Sequence, residues 1–485
     1  MLPDVYDSEA FRRDGKQLID LLADHFARLD GDRPGPVLDW TAPPQMLSSW
    51  QSDFSGGAPF LELMRRVLAD SIQVRHPRFI GHQVSLPLPT AALADLLGSF
   101  LSNGMAIYEM GPASSAMERH VTDWLCQKVG FDDQASGILT AGGTLGNLTA
   151  LLAARQSRAP YDAWEQPAAE HPPLAILCSD QAHYSVARIG RILGFGEAGI
   201  VPVPVDERYC LRPDALEGTL RSARNAGRHV IAVIANACST ATGSYDPLEP
   251  IADFCLAENL WLHVDGAHGA SMLLSDRHRH LLQGIERADS IVWDLHKMMM
   301  MPALTTAVLF RRSDSSYATF AQKATYLFEG DRYHGDRTGD WTEIGLRTFE
   351  CTKRMMSLRI YTALAVHGEA PFRKSIETTI ARAQDLADLV EAAPDFELLI
   401  PPEVNIVCFR YRPHWAMESE LDALQNRIRD FVVRSGSHYL VQTTLPTGRY
   451  LRCAIMNPFT RRADLESLLT VLREAGESMR RGERP

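Results

Sequence analysis

Six short apolar runs recur between about residues 88 and 312, most of them separated by helix-length segments. This alternation constrains the fold more than any other feature of the chain. The runs are GILTA before Gly142, LAILCSD at 174–180, VIAVIANA at 230–237, LWLHVD at 260–265, SIVWD at 290–294 and TAVLF at 306–310. Each is strand-sized and apolar almost throughout, as strands buried on both faces are. The pattern predicts an α/β domain on a mostly parallel sheet. Ligands of such sheets bind outside the carboxyl ends of the strands. The polar residues that directly follow the runs are therefore the ones to weigh for chemistry.

The flanks read differently. Residues 11–28 carry Leu18, Ile19, Leu22 and Phe26 at helical spacing before the breaker GDRPGP, and 61–74 predicts a second amphipathic helix. Such a segment packs on another subunit or on its own chain. After Arg312 the polar, aromatic stretch YLFEGDRYHGDRTGDWTE predicts a long loop, either a functional lid or disordered. Helical patterns follow over 344–368 and 372–392. Beyond Pro394 the runs ELLI, VNIVCFRY and RYLRCAIMN alternate with helices near 421–435 and 465–474. The expected organisation is a helical N-terminal segment (1–87), a large α/β domain (88–370) and a small α+β C-terminal domain (371–485).

With 49 basic and 60 acidic residues the net charge is −11, which argues against a nucleic-acid partner. The opening MLPDVYDSEAFRRDGKQLIDLL lacks an apolar core behind a basic start, so no secretory signal is expected. No apolar run approaches ~18 residues, so no membrane span is expected. Eight scattered cysteines without a C-x-x-C pair fit the reduced thiols of a cytoplasmic protein. His263, His268, His278 and His280 have no cysteine or carboxylate cluster beside them to complete a ligand set, so no metal is expected.

Four constellations lie at strand ends. Thr140-Ala-Gly-Gly-Thr-Leu-Gly-Asn147 is a glycine-rich strand-to-helix turn, which frees backbone N–H groups and aims a helix dipole at an anion, most naturally a phosphate. Gly143 and Thr144 are its candidate ligands, Thr144 through its hydroxyl. Ser-Asp-Gln-Ala-His183 brings a histidine just past the second run. His263-Val-Asp265-Gly-Ala267-His268 ends a strongly apolar strand on an aspartate, and a buried carboxylate asks for a cationic partner from the protein or a ligand. In Trp293-Asp-Leu-His-Lys297, followed by four methionines, the lysine is expected to be desolvated, which depresses its pKa and frees a neutral amine; the alternative is a buried, salt-bridged lysine. A phosphate cradle, a flat group beneath His183, a cation opposite Asp265 and an imine-forming Lys297 together describe pyridoxal 5′-phosphate.

The same residues resemble the group II pyridoxal-phosphate-dependent amino-acid decarboxylases, which include the aromatic amino-acid, glutamate and diaminobutyrate decarboxylases. The resemblance covers nearly the whole chain: FRRDGKQLID, HPRFIGHQ, YEMGPASSAMERHVTDWL, SDQAHYSVARIG, HVDGAHGAS, DLHKMMMMP, GLRTFECTKRMMSLRIY and LRCAIMNPFTRRADL. It implies fold-type I (aspartate aminotransferase-like) architecture and a homodimer with its sites at the interface. It implies that His183 stacks on the cofactor ring, Ala267 packs on the other face and Asp265 pairs with the ring nitrogen. Lys297 is then the Schiff-base lysine, His296 lies near the phosphate and the reacting carbons, and Thr240 offers a hydroxyl beside the cofactor. Arg452 corresponds to a position that in some members holds a substrate carboxylate, and it is equally read as a structural arginine.

Two departures stand out. Many members read Asn-Pro-His-Lys, where this chain has Asp294-Leu295-His296-Lys297, and a carboxylate near the phosphate would repel it unless a cation intervenes. The lid tyrosine that protonates the carbanion is assigned to Tyr333, with Tyr326 and His334 as alternatives. The expected activity is α-decarboxylation of an L-amino acid to the amine and carbon dioxide, through a Lys297 Schiff base and a quinonoid. Arg78, where aromatic-substrate members often carry an aromatic residue, leans the substrate toward glutamate, aspartate or 2,4-diaminobutyrate. Phe79 and Tyr108 keep an aromatic amino acid open. The other readings are an aldehyde-forming oxidative decarboxylase, an aminotransferase, or a non-catalytic subunit of the same fold.

Overall fold

The structure, a computed structural model, describes residues 2–29, 35–322 and 341–482. It divides into two units. One comprises Gln83–Ile380 with Pro402–Val404, the other Met1–His82, Ala381–Pro401 and Asn405–Pro485.

The first unit is built on seven strands: β1 (Ser136–Thr140), β2 (Leu174–Ser179), β3 (Ile200–Val203), β4 (His229–Asn236), β5 (Trp261–Asp265), β6 (Ser290–Asp294) and β7 (Thr306–Phe310). They lie in the order β1-β7-β6-β5-β4-β2-β3. β7 is antiparallel to both its neighbours, and the remaining pairs are parallel. This is the α/β class expected. Every residue of β1, β2, β5, β6 and β7 is buried, which is why these strands read as continuous apolar runs. Helices Gly143–Arg158 and Tyr184–Ile192 pack Leu151, Ala154, Val186 and Ile189 into one cluster with Ile138, Ile176 and Ile234 of the sheet. β3 escaped the sequence reading. It has four residues, one of them Pro202, and it sits at the sheet edge, where a missing N–H costs little.

The strands deliver their polar ends to one side. Asn236 of β4 is the register partner of Asp265 of β5, and Asp294 of β6 that of Thr306, the first residue of β7. Thr306 also pairs with Thr140 at the end of β1.

The helical pattern over 344–368 is only partly realised. Ile344–Leu346 is a single 3-10 turn, and the helix begins at Met356 and runs to His367. Between them, Arg347 Nη2 donates to Ser136 Oγ (2.6 Å) and Lys353 Nζ to the Leu139 carbonyl (2.7 Å). Those bonds to β1 outweigh local helix propensity.

The second unit carries the antiparallel sheet β10-β11-β9-β8, formed by β8 (Phe396–Leu398), β9 (Ile406–Tyr411), β10 (Val441–Leu445) and β11 (Gly448–Ala454). Helices Leu421–Arg434 and Arg462–Arg480 bury Leu424, Ile428, Leu468 and Leu472 with Val407, Phe409 and Leu451 of that sheet. The N-terminal helices Ser8–Leu29 and Phe60–Ala69 belong to this unit. The second of these stops short of the expected residue 74, because Gln73 N–H turns away to the Val37 carbonyl (2.9 Å). Among the described residues no helix is long and apolar enough to cross a membrane.

Candidate active site

Beyond the carboxyl ends of β1, β4, β5 and β6 lies a pocket open to solvent, its empty space about 510 Å³ with that solvent included. Gly142, at φ 104°, turns the chain out of β1, and Gly143 opens helix Gly143–Arg158. A Cβ on Gly143 would stand 3.0 Å from Asp294 Oδ2, so the turn has no room for a side chain there. Gly143 and Thr144 line the cavity at the helix N-terminus, where free N–H groups and the dipole favour an anion.

His183 caps helix Tyr184–Ile192. Its Nδ1 accepts from Ser185 N–H (3.3 Å) and lies 2.7 Å from Ser185 Oγ. Burial holds the His183 pKa below its ordinary value, with Asp265 opposing that shift and Lys297 assisting it. Asp265 is 6% exposed on the cavity wall. It accepts hydrogen bonds from Asn147 Nδ2 (2.8 Å) and Ala267 N–H (3.2 Å), both neutral donors. A buried carboxylate so held leaves a charge for a ligand to balance.

Lys297 follows β6, and Met298, Met299, Met300 and Met301 behind it are all buried. The setting is not purely apolar, and the salt-bridged alternative is the arrangement seen. Lys297 Nζ lies 3.2 Å from Asp294 Oδ2, while Asp294 Oδ1 accepts from Thr306 Oγ1 (2.5 Å). The carboxylate that the sequence set against a phosphate therefore has a cation on it.

Thr240 and Ala267 also line the cavity. His296 does not. Its Nδ1 is 2.9 Å from the Thr305 carbonyl and its Nε2 3.8 Å from Asp294 Oδ2, so it packs behind that carboxylate. Sequence reasoning missed Asn147, Asn236, Cys238 and His268, which line the same space. Asn147 carried a signal: it stands one helical turn beyond Gly143 and so points the same way. Asn236 is legible only from its register with Asp265.

Tyr333, Tyr326 and His334 lie outside the described residues. Arg78, Phe79 and Arg452 belong to the second unit. There Arg78 Nε donates to Asp464 Oδ1 (3.2 Å), Phe79 stacks on Tyr439 with ring centres 5.2 Å apart, and Arg452 is buried on β11 opposite Cys408.

The donor set around the cavity fits pyridoxal 5′-phosphate. It offers a primary amine for the aldehyde, a carboxylate held by neutral donors for the ring nitrogen, an imidazole, and a helix N-terminus opened by a glycine for the phosphate.

Comparison with known proteins agrees. The pyridoxal-dependent decarboxylase conserved domain matches residues 58–412. Human cysteine sulfinic acid decarboxylase is 30% identical over 459 residues, covering 91% of this chain and 92% of that one. The aromatic-L-amino-acid decarboxylase of Bacillus atrophaeus is 28% identical over 477 residues, covering 97% and 96%. The crystal structure of mouse CSAD superposes with a TM-score of 0.89 at 28% identity, covering 97% of this chain and 99% of that one.

Proposed function

The chain belongs to the pyridoxal-dependent decarboxylase family, and on that premise we propose that it removes the α-carboxyl group of an acidic L-amino acid. Membership makes it an amino-acid decarboxylase with pyridoxal 5′-phosphate as cofactor. The observation that carries the catalytic reading is Asp265, buried on the cavity wall and held, among the described residues, by neutral donors, in the same cavity as the Lys297 amine. Substrates such as glutamate, aspartate or cysteine sulfinate are favoured by the 30% identity to human cysteine sulfinic acid decarboxylase and the 29% identity to human acidic amino acid decarboxylase.

When bound, the cofactor supplies an aldehyde that links to amines and a ring that accepts the electron pair left by carbon dioxide. The chain does the rest. Lys297 presents its amine from the turn after β6, held by Asp294 until it is needed. Asp265 balances a protonated ring nitrogen and keeps its proton in place. The N-terminus of helix Gly143–Arg158 and the Thr144 hydroxyl take the phosphate. Ala267, with a single methyl, leaves room for a flat ring against one wall, and His183 closes the other. Thr240 adds a hydroxyl at the rim. Tyr333 delivers the proton to Cα.

The working species is a homodimer. Helix Pro89–Leu101 supports this, because Leu93, Leu96, Leu97 and Phe100 are each half or more exposed on it, an apolar face suited to a second copy. All eight cysteines are free thiols, which favours a reducing compartment such as the cytoplasm.

The test is to reduce the cofactor-loaded protein with borohydride, map the labelled peptide, and then offer amino acids singly while following carbon dioxide and oxygen. Label on Lys297, with carbon dioxide released from an acidic amino acid and no oxygen consumed, is expected. Preference for an aromatic amino acid overturns the substrate class. Oxygen uptake replaces the simple lyase with an aldehyde-forming enzyme.

A further inference from the structure

Behind the cavity wall runs a chain of buried hydrogen bonds that the cofactor contacts alone do not require. Trp261 Nε1 lies 2.8 Å from Ser290 Oγ, and Ser290 Oγ lies 2.9 Å from His263 Nδ1. His263 Nε2 is 3.0 Å from Asn147 Oδ1. Asn147 Nδ2 then reaches both Asp265 Oδ2 (2.8 Å) and Ser185 Oγ (3.2 Å), and Ser185 Oγ reaches His183 Nδ1 (2.7 Å). Ser290, His263, Asn147 and Ser185 are each 1% exposed or less.

The direction of every bond follows from chemistry. A carboxylate only accepts, so Asn147 turns its N–H₂ to Asp265 and its oxygen to His263 Nε2, and Ser290, which accepts from the Trp261 indole N–H, gives its own proton to His263 Nδ1. His263 is then neutral with its proton on Nε2, which donates to the amide oxygen of Asn147. Burial supports the neutral ring, holding its pKa at about 4. Flipping the Asn147 amide would set its N–H₂ against the His263 N–H and its oxygen against the Asp265 carboxylate, two losing contacts at once. The amide nitrogen has two hydrogens, and both are used. Ser185 N–H already donates to His183 Nδ1, so that nitrogen is an acceptor and takes the Ser185 hydroxyl proton as well. A neutral His183 must carry its proton on Nε2, the nitrogen not engaged by Ser185.

We propose that Asn147 is a positioning residue that sets two cofactor-facing groups together: it holds the Asp265 carboxylate in place and, through Ser185, fixes His183 as the Nε2–H tautomer. Its consequence for cofactor binding rests on the reading of Asp265 and His183 given above, but the tautomer can be observed without substrate. The amide acts as a splitter. One buried input from Trp261, Ser290 and His263 orients it, and two outputs leave it.

The test uses full-length protein labelled with ¹⁵N-histidine, with and without cofactor, the His183 signals being identified by their loss in His183→Asn. Wild type is expected to show a protonated Nε2 and an unprotonated Nδ1. Asn147→Leu is expected to mix the tautomers and to weaken cofactor binding roughly tenfold to a hundredfold, the scale of one charge-assisted hydrogen bond. His263→Gln, whose amide can still accept from Ser290 and donate to Asn147, should keep both wild-type readouts, whereas His263→Leu should follow Asn147→Leu. A proton on His183 Nδ1 in the wild type overturns the proposal whatever the variants do. So does an Asn147→Leu or His263→Leu protein with wild-type tautomer and cofactor affinity. Failure to decarboxylate any acidic amino acid, with the tautomer pattern as expected, refutes the substrate reading and leaves this one standing.

Discussion

Three buried carboxylates in the larger unit meet the same electrostatic problem in three ways. Glu118, 3% exposed, accepts from Lys353 Nζ (2.5 Å) and from Leu139 N–H (2.9 Å), so a protein cation neutralises it. Asp246, 2% exposed, accepts from the backbone N–H groups of Leu211 (2.7 Å) and Asn236 (2.6 Å), and burial pushes its pKa up to about 7, so a proton is its remedy. Asp265 has neutral donors as well, yet it faces a cavity with an amine in it. Where a carboxylate is structural the chain completes it internally. On the reading proposed above, Asp265 leaves its balancing charge to arrive with a ligand.

That contrast can be broken most sharply by exchanging charge for amide. Asp265→Asn keeps the shape and an acceptor for Asn147, so stability should move by no more than about 1 kcal/mol. Turnover should fall by roughly 10²–10³-fold, as when a transition-state electrostatic partner is removed. Steady-state kinetics beside denaturant unfolding measure both, and a large stability loss with little kinetic effect would reverse the assignment. Lys353→Met should do the opposite. It strands Glu118 without its cation, costing about 3–5 kcal/mol of stability, while activity per folded molecule stays near wild type. The double variant Glu118→Gln/Lys353→Met should recover much of the loss. If it does not, the pair is more than a neutralised charge.

How far the sequence discloses this arrangement depends on whether partners are local. Asp265 and Lys297 could be read because each sits at or just beyond the end of an apolar run, where chain position and chemistry coincide. Gly143 and Thr144 were legible for the same reason, since a strand, a glycine turn and a helix follow in one short stretch. The contacts that support them were not. Asn147 meets Ser185 across 38 residues and Asp265 across 118, and Lys353 meets Glu118 across 235. No periodicity encodes such pairings, which exist only once the sheet order is set. The same limit hid β3 and shortened the helix expected from residue 344, where tertiary bonds from Arg347 and Lys353 decide the backbone.

Asp294 sharpens the comparison, because it combines both situations. It has a protein cation, Lys297, at 3.2 Å, and it borders the helix N-terminus assigned to phosphate, with Oδ2 only 3.0 Å from where a Gly143 Cβ would stand. On the reading proposed above, an amine committed to the cofactor would no longer serve this carboxylate, which would then face the phosphate. Asp294→Asn should therefore bind the cofactor more tightly, by roughly tenfold for one removed like charge at a partly screened site. Equilibrium titration of the cofactor-free protein measures it. Weaker binding would mean that Asp294 chiefly orients the lysine.

The smallest effects are slopes of stability with pH, and they separate the buried groups by sign. Folding lowers His263 and His438 from 6.5 to about 4, so between those values the unfolded chain binds more protons and acidification destabilises the fold. Folding raises Asp246 from 3.8 to about 7, so over nearly the same window the folded chain binds more protons and acidification favours it. Each group contributes at most about 1.4 kcal/mol per pH unit. Unfolding measured from pH 7 down to pH 4 should therefore lose less stability in His263→Gln than in wild type, and more in Asp246→Asn. Equal slopes in all three proteins would mean that these groups titrate alike in the folded and unfolded chains. In that case the three-way contrast would survive only for Glu118 and Asp265, whose partners are fixed by geometry rather than by protons.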